Sequence, residues 1–225
     1  MQPLQPLIVA IDGPAGVGKS TVSRLVAHEL GIPQIDTGAM YRAIGLAATR
    51  AHIDVRDEER LADLAARSEI EFIPGEKPRT MLNGEDVTDF IRTPEISMAA
   101  SHVSAVPAVR RVLVKLQQAM GQRNGGVLEG RDIGTKVFPD TPHKFFLTAR
   151  PEVRAERRYR ELTAKGQAVD FDTVLAETVQ RDRQDSTRAD SPLMYDATYT
   201  VVDTSDRTIP EVVSRIVEAV RSAFS

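Results

Sequence analysis

The stretch IVAIDGPAGVGKST at residues 8–21 constrains the fold of this chain more than any other feature. An apolar, β-rich run at residues 7–11 is followed by a glycine-rich loop and then by apolar residues at helical spacing, with Gly31 as the predicted helix end. A continuous apolar run is typical of a strand that is buried on both faces of a parallel sheet. The sequence therefore predicts a strand, a glycine-rich loop and a helix, in that order.

The glycine-rich loop at residues 13–20, GPAGVGKS, fits the pattern G-x-x-x-x-G-K-[ST] of phosphate-binding loops. Glycines let successive backbone N–H groups converge on an anion, and the following helix contributes the positive end of its dipole. The pattern predicts that Lys19 bridges the β and γ phosphates of ATP and that the Ser20 hydroxyl binds Mg²⁺. The predicted ATP-binding residues are Asp12, Gly13, Pro14, Ala15, Gly16, Val17, Gly18, Lys19, Ser20 and Thr21.

Further along the chain, strand and helix patterns alternate. Buried-strand patterns at residues 126–130, 144–149 and 199–204 are separated by helical patterns such as that at residues 109–120. This alternation predicts an α/β fold in which helices flank a parallel sheet. Residues 68–96 depart from it: short strands and an Asn83-Gly84 turn predict a small β insertion, and Thr93 predicts the start of the next helix.

Composition excludes several classes of protein. The 225 residues carry a net charge of −3, which argues against nucleic-acid or anionic-membrane partners. Cysteine is absent and the four histidines lack ligand spacing, which argues against disulfides and thiolate or histidine metal sites. No apolar stretch approaches the ~18 residues of a membrane span, and the start MQPLQPL lacks the pattern of a signal peptide. We therefore expect a cytoplasmic protein.

A phosphate loop alone does not define a function, since kinases, GTPases and motors share it. The chain has neither the N-K-x-D nor the D-x-x-G motif expected of a GTPase. It also lacks a clear strand of four apolar residues that ends in an acidic residue, which is usual in motor ATPases. Arginine outnumbers lysine 23 to 6, and the guanidinium group binds phosphate oxygens in pairs. Arginines within short polar motifs therefore suggest a second, phosphorylated substrate.

One of these motifs precedes a predicted helix and another follows a predicted strand. In DTGAMYR, Thr37 lies ahead of a helix and Arg42 lies one turn into it, so the two could hold a monophosphate, although a capped helix with a surface arginine fits equally. In EGRD, Arg131 and Asp132 lie at the end of a strand, where ligands bind to parallel sheets. An internal ion pair between these two residues is the alternative.

Two more motifs lie on predicted helices. Arg154, Arg157 and Arg158 occupy neighbouring positions of one helix and could close over a transferred phosphoryl group. Interleaved glutamates leave an exposed, salt-bridged helix as the alternative. The spacing of Arg181, Asp185 and Arg188 predicts that all three lie on one face of the next helix.

In this order, the motifs closely resemble those of the bacterial cytidylate kinase family of nucleoside monophosphate kinases. They are IDGPAGVGKST, DTGAMYR, the NGEDVT hairpin followed by IRTPE, ASHVSAVPAVR, EGRDIGTKVFPD and RDRQDSTRADSP. The resemblance implies one P-loop kinase domain over residues 1–225, with a small β-containing nucleotide-binding insert near residues 64–97 and a short helical lid near residues 151–170. Thr37 stands where serine is frequent in the family, which preserves the hydroxyl group.

The resemblance also implies a role for each matching position in binding CMP. The predicted phosphate ligands are Thr37, Arg42 and Arg131; the residues around cytosine are Ser101, Arg110, Asp132 and Arg188; those near the ribose are Arg181 and Asp185. Cytosine presents an amino donor beside two acceptors, so its site needs an acceptor such as a carboxylate and an arginine donor. Since UMP presents a carbonyl and an N–H group there, we expect Asp132 to disfavour UMP.

The predicted reaction is direct in-line transfer of phosphate from ATP, with Mg²⁺, to CMP or dCMP. The predicted catalytic residues are Lys19, Arg131, Arg154, Arg157 and Arg158. The family implies a monomer. Two alternatives stay open: a kinase for AMP, UMP or a metabolite alcohol, and a nucleotide-sensing protein that has lost turnover.

Overall fold

The computed structural model describes residues 6–75, 77–188 and 190–223. The first five residues, which form most of the MQPLQPL stretch, lie outside this description. The strands are β1 (Ile8–Asp12), β2 (Gln34–Asp36), β3 (Ile70–Ile73), β4 (Arg79–Leu82), β5 (Glu85–Asp86), β6 (Gly126–Gly130), β7 (His143–Thr148) and β8 (Thr200–Asp203). The α-helices are α1 (Lys19–Leu30), α2 (Thr37–Arg50), α3 (Glu58–Arg67), α4 (Pro94–Ala105), α5 (Pro107–Asn124), α6 (Pro151–Ala164), α7 (Phe171–Ser186) and α8 (Ile209–Ser222).

The chain forms two compact units. The larger is formed by Leu7–Ile32 together with the chain from Gly126 onward, and we call it the phosphate-loop unit. The other is formed mainly by Pro33–Gly125, and we call it the insert unit. The predicted insert at residues 64–97 falls inside the second unit, and the predicted lid at residues 151–170 falls inside the first.

The phosphate-loop unit is built on parallel strands in the order β6, β1, β7, β8. Val9 and Ile11 of β1, Val127 of β6 and Leu147 of β7 are wholly buried, as expected for a sheet that is covered on both faces. Ile216 of α8 belongs to the same apolar core. Because the strands are parallel, their carboxyl ends lie at one edge of the sheet, where ligands bind in such folds.

The insert unit combines four helices with a three-stranded antiparallel sheet in the order β3, β4, β5. Asn83 and Gly84 join β4 to β5 with φ angles of +50° and +80°, the two left-handed positions of a tight hairpin turn. Met40 and Ile44 of α2 lie in the apolar core of this unit. Helix α2 approaches α4 closely at Gly45.

These elements confirm the predicted fold class. The strands at residues 7–11, 126–130, 144–149 and 199–204 and the β insertion are all present within one or two residues of their predicted limits. The Thr93 hydroxyl accepts a hydrogen bond from the Ile96 backbone N–H at 3.2 Å, as expected of an N-cap. One detail is wrong: Arg188 lies beyond the end of α7, because Thr187 ends that helix with its N–H and hydroxyl both donating to the Arg183 carbonyl.

Candidate active site

The phosphate-binding loop joins β1 to α1, and its backbone takes conformations that suit glycine. Gly18 precedes α1 with a φ of +90°, in the left-handed region. At Gly13, which has a φ of +147°, a Cβ atom would lie 2.2 Å from the Leu147 carbonyl oxygen. The loop therefore lies directly against β7 at its start and curls into the helix at its end. This geometry is the one that turns backbone N–H groups toward an anion.

Lys19 is the buried cation of the loop. Its Nζ donates to the Pro14 carbonyl oxygen at 2.6 Å, and only 8% of the residue is exposed. Burial lowers the pKa of the Lys19 ammonium well below its usual value, and the Arg131 guanidinium lowers it further, while Glu129 acts in the opposite direction. The protein thus compensates the positive charge of Lys19 only in part, and a bound phosphate would stabilise the charged form.

Glu129, near the end of β6, is a functional candidate that the sequence analysis missed. The Ser20 hydroxyl donates to Glu129 Oε2 at 2.8 Å, and Glu129 is 3% exposed. A carboxylate within a strand that is otherwise buried and uncharged was the signal available in GVLEG. Only Val127 and Leu128 separate Gly126 from Glu129, so the strand does not fit a pattern of four apolar residues before an acid.

The Ser20–Glu129 pair fits a magnesium ion. Mg²⁺ prefers oxygen ligands and usually combines one or two protein oxygens with phosphates and water. Within the described ranges, no cluster of three or more histidine, aspartate or glutamate side chains could hold a metal by itself. A hydroxyl beside a buried carboxylate, at the start of α1, therefore suits an ion that arrives with ATP.

Arg131, Asp185 and Arg188 form a second charged cluster in the phosphate-loop unit. Arg131 Nε donates to Asp185 Oδ2 at 2.8 Å, and Arg188 Nη2 donates to Asp185 Oδ1 at 2.5 Å. Burial acts to raise the pKa of the Asp185 carboxyl, but the two guanidinium groups hold it below its usual value. Arg131 thus pairs with Asp185, whereas the ion pair considered from the sequence was with the adjacent Asp132.

The remaining predicted residues near this cluster are placed differently. Arg181 lies on α7, one turn before Asp185, and is exposed. Asp132 is buried immediately after Arg131. Asp12, predicted to bind ATP, is wholly buried at the end of β1, and its carboxylate accepts hydrogen bonds from the Ile133 and Gly134 backbone N–H groups and from the Tyr199 hydroxyl. The Asp12 side chain is therefore engaged inside the protein.

Arg154, the first predicted lid arginine, is only 3% exposed. Its Nη1 donates to Asp182 Oδ1 at 2.9 Å and to the Ala15 carbonyl oxygen at 3.2 Å, and its Nε donates to the Ala149 carbonyl oxygen at 3.0 Å. The Arg154–Asp182 pair borders a cavity of about 490 Å³ that also contacts Pro14 of the loop. Arg154 thus joins α6 to both α7 and the phosphate loop.

Arg157 and Arg158 have weaker attachments. Arg157 Nη2 donates to the Thr204 carbonyl oxygen at 2.6 Å, and its Nη1 lies 3.4 Å from the Gly16 carbonyl oxygen. Arg158 pairs with Glu161 at 3.0 Å, and its side chain is 42% exposed. The salt-bridged alternative therefore describes Arg158 in this structure, whereas Arg157 faces the phosphate loop.

The insert unit holds the other predicted ligands. Asp36 caps α2 by accepting from the Ala39 N–H at 2.8 Å, and it also accepts from Arg42 Nη2 at 3.0 Å. Thr37 is buried in the first turn of the same helix. The helix is therefore capped, as one interpretation of DTGAMYR predicts, while the binding of a monophosphate by Thr37 and Arg42 stays a prediction.

Ser101 and Arg110 also lie in the insert unit, on α4 and α5. Arg110 is 2% exposed, its Nη1 donates to the Ser104 carbonyl oxygen at 3.2 Å, and its guanidinium lies 5.5 Å from the centre of the Tyr41 ring. The Ser104 hydroxyl donates to the Ser101 carbonyl oxygen at 2.9 Å. A buried arginine on an aromatic ring is a rigid donor of the kind that reads a polar ligand edge.

Across the described residues, none of the helices is both long enough and apolar enough to cross a membrane. Each unit holds its own set of the predicted residues. The phosphate-loop unit brings Lys19, Ser20, Glu129 and Arg131 into one charged group with Asp185. Thr37, Arg42, Ser101 and Arg110 lie in the insert unit.

The sequence model of the cytidylate kinase family, described as "Cytidylate kinase", matches residues 9–222. The chain belongs to the cytidylate kinase family. Curated members of this family align over nearly the whole of both sequences. The cytidylate kinase of Syntrophotalea carbinolica is 50% identical over 215 residues, which is 95% of this chain and 92% of that protein.

Other members of the cytidylate kinase family are equally similar. That of Caldanaerobacter subterraneus subsp. tengcongensis is 50% identical, covering 95% of this chain and 94% of the relative. That of Geobacter sulfurreducens is 50% identical, covering 96% and 93% respectively. Among solved structures, an uncharacterized protein from Eubacterium ventriosum aligns with a TM-score of 0.53 at 15% identity, covering 97% of this chain and 99% of that one. This last similarity concerns the fold alone.

Proposed function

We propose that this member of the cytidylate kinase family transfers the γ-phosphate of ATP to CMP, and to dCMP, by direct in-line displacement. The observation that carries the proposal is the group formed by the buried Lys19, the Ser20–Glu129 pair and Arg131 at one edge of the parallel sheet. Two polyanions must approach each other in such a reaction, so catalysis consists mainly of positioning and charge neutralisation. No protein base is needed, since the acceptor phosphate is already anionic.

On the donor side, the loop backbone and Lys19 would bind the phosphates of ATP. Ser20 would ligate Mg²⁺ directly, with Glu129 accepting from the ion's water or from the Ser20 hydroxyl. When bound, the ion would supply charge neutralisation between the β and γ phosphates. Lys19 would exchange the Pro14 carbonyl for a phosphate oxygen, a stronger partner for a cation.

On the acceptor side, Thr37, Arg42 and Arg131 would bind the phosphate of CMP. The cytosine would contact Ser101, Arg110, Asp132 and Arg188, and the ribose would contact Arg181 and Asp185. The buried Asp132 carboxylate supports this assignment, because it could accept from the cytosine amino group and would repel the carbonyl of UMP.

We further propose that residues 64–97 act as the nucleotide-binding insert and residues 151–170 as the lid. Arg157 and Arg158 would reach the transferred phosphoryl group on closure and help to exclude water. Arg154 could do so only after leaving Asp182, so its ion pair would hold the lid helix until substrates bind. A cytoplasmic monomer is the form we propose for the enzyme.

The proposal is tested by measuring ADP formation from MgATP in a coupled assay, with CMP, dCMP, UMP, AMP and GMP offered at one concentration. We expect rapid turnover with CMP and dCMP and little with AMP or GMP. Rapid turnover with AMP alone would indicate another kinase of small acceptors. ADP formation that is slow and independent of the acceptor would indicate a nucleotide-sensing protein.

The assignment of Asp132 to the base is tested by Asp132→Asn, with the exposed Asp140→Asn as the matched control on the same segment. Removing a charged acceptor from a base contact should lower the preference for CMP over UMP by about tenfold or more. The preference of Asp140→Asn should equal that of the wild type. An unchanged preference in Asp132→Asn would remove this residue from the base site.

A further inference from the structure

Asp12 is a buried carboxylate between the phosphate loop and the turn that follows Arg131 and Asp132, and no substrate role is needed to explain it. It is the last residue of β1 and directly precedes the phosphate loop. Oδ1 accepts from the Ile133 N–H at 2.9 Å, and Oδ2 accepts from the Gly134 N–H at 2.9 Å and from the Tyr199 hydroxyl at 2.8 Å. Each carboxylate oxygen is therefore occupied by a donor of the protein.

The two backbone donors belong to an unusual turn. Ile133–Val137 forms a π-helical turn that follows Arg131 and Asp132, and its hydrogen bonds include Phe138 N–H to Ile133 carbonyl at 2.7 Å. The first N–H groups of any helical turn lack partners within it. Asp12 supplies those partners here, and so fixes the backbone at the point where the turn begins. π-Helical turns are rare and often occur at functional sites.

The side chain at position 12 must accept a hydrogen bond at each of its two terminal atoms. An asparagine would place an NH₂ group against one of the two backbone N–H groups and leave that donor unsatisfied in the interior. The Tyr199 hydroxyl donates a further hydrogen bond to Asp12 Oδ2. A Cβ atom on Gly134 would lie 2.6 Å from the Tyr199 hydroxyl oxygen, so the tyrosine packs directly on the backbone of the turn.

We propose that Asp12 is a positioning residue, which holds the backbone after Asp132 so that Arg131 and Asp132 present their side chains to the acceptor nucleotide. The inference rests on the proposed function, since it assigns Arg131 and Asp132 to that nucleotide. Asp12 touches no substrate in this account. Asp12 also ends the strand that leads into the phosphate loop, but its side chain contacts the acceptor-binding turn.

The inference predicts a split between the two substrates. In Asp12→Asn, we expect kcat/KM for CMP to fall by about 100-fold, the size of loss that follows a small misplacement of reacting groups. The Kd of ATP, measured without acceptor, should change by less than about threefold, because the loop N–H groups and Lys19 are untouched. Tyr199→Phe keeps both backbone bonds and should lose less than about tenfold in kcat/KM.

The matched control is Ile216→Ala, which truncates a wholly buried aliphatic side chain on α8 in the same unit and removes no hydrogen bond. It should lower Tm while leaving kcat/KM for CMP within about twofold. A loss of kcat/KM in Asp12→Asn that merely follows the loss of Tm seen in Ile216→Ala would overturn the inference. An equal loss in ATP affinity and in kcat/KM for CMP would also overturn the inference.

Hydrogen exchange gives a readout that does not depend on the acceptor. We expect the Ile133 and Gly134 amides to exchange at least about tenfold faster in Asp12→Asn and to accelerate detectably in Tyr199→Phe, while the α1 amides keep the wild-type rate. Unchanged exchange at 133 and 134 in a folded Asp12→Asn protein, or in Tyr199→Phe if the first variant does not fold, would refute the positioning role. Failure of the wild type to phosphorylate CMP would instead refute the proposed function, and the exchange result would stand.

Discussion

The phosphate loop and helix α6 both bring cations toward the same end of the sheet, but they hold them in different ways. The loop carries one buried lysine, which contacts a carbonyl oxygen and has a lowered pKa. Helix α6 carries three arginines that already contact protein oxygens, from the buried Arg154–Asp182 pair to the exposed Arg158–Glu161 pair. Lys19 would therefore give up only a neutral carbonyl partner to bind a phosphate, whereas Arg154 and Arg158 would each have to leave a carboxylate partner.

The largest effect should follow from removing the loop cation. In Lys19→Met, we expect kcat to fall by about 1,000-fold, because a preorganised group that neutralises transition-state charge contributes about 3 to 4 kcal/mol. Lys115→Met, which removes an exposed lysine on α5, is the control and should retain wild-type turnover. Steady-state assays with CMP measure both. Turnover within tenfold of the wild type in Lys19→Met would contradict the assignment of this lysine to the donor.

The next largest effect should come from Arg131→Ala. We expect a loss of about 2 to 4 kcal/mol in transition-state stabilisation, measured as the ratio of kcat/KM values for CMP. The variant also leaves the buried Asp185 with one guanidinium partner fewer, so its Tm should be recorded alongside. Near-normal turnover would exclude Arg131 from the acceptor clamp.

Stability separates the arginines of α6. Arg154→Ala removes the hydrogen bonds to Asp182 and to the Ala15 and Ala149 carbonyl groups, so the free energy of unfolding should fall by about 2 to 3 kcal/mol. Arg158→Ala breaks only a surface ion pair and should cost less than about 0.5 kcal/mol. Denaturant unfolding measures both. Equal losses in the two variants would mean that the contrast between buried and exposed arginines has no energetic basis.

The backbone of the loop can be tested without touching its charges. Gly13→Ala places a Cβ atom 2.2 Å from the Leu147 carbonyl oxygen and should destabilise the fold by about 2 kcal/mol or more. Gly166→Ala, at a φ of +75°, has open space around it, so only a backbone strain of about 1 kcal/mol applies. The difference in Tm between the two variants therefore measures the close approach to β7 together with the more extreme φ of +147° at Gly13.

The last effect concerns pH. Burial raises the pKa of the Asp12 carboxyl to about 6, against hydrogen bonds from Gly134 and Ile133 that lower it. Because the folded state then binds a proton more tightly than the unfolded state, Asp12 adds stability as the pH falls from 7 to 5, by about 1 kcal/mol. The Asp12→Asn variant has no carboxyl group to titrate at this position. Between pH 7 and pH 5, the free energy of unfolding of the wild type should therefore rise by about 1 kcal/mol relative to that of the variant. An equal dependence on pH in both proteins would show that Asp12 does not titrate there.

The sequence predicted the loop better than the arginines for a physical reason. A phosphate loop is local: its glycines, its lysine and its flanking strand and helix lie within fourteen consecutive residues, 8–21. The same holds for the Asn83-Gly84 hairpin. By contrast, Arg131 pairs with a residue 54 positions away and Arg154 with one 28 positions away. Spacing along one helix cannot indicate such partners.

Glu129 and Asp12 show most clearly what cannot be predicted from the sequence. Each lies at the carboxyl end of a buried strand, and sequence alone gave Asp12 a ligand role and Glu129 none. The side chains that decide their roles, Ser20 for one and Tyr199 for the other, come from distant parts of the chain. The assignment of Thr37, Arg42, Ser101 and Arg110 to CMP rests on the family motifs and stays a prediction.

The most direct test of the account is to follow the phosphoryl group itself, using ATP labelled in the γ-phosphate with CMP as acceptor. We expect the label to appear in CDP in an amount equal to the ADP formed, with little inorganic phosphate released. Label released as inorganic phosphate at a rate that does not depend on CMP would contradict it.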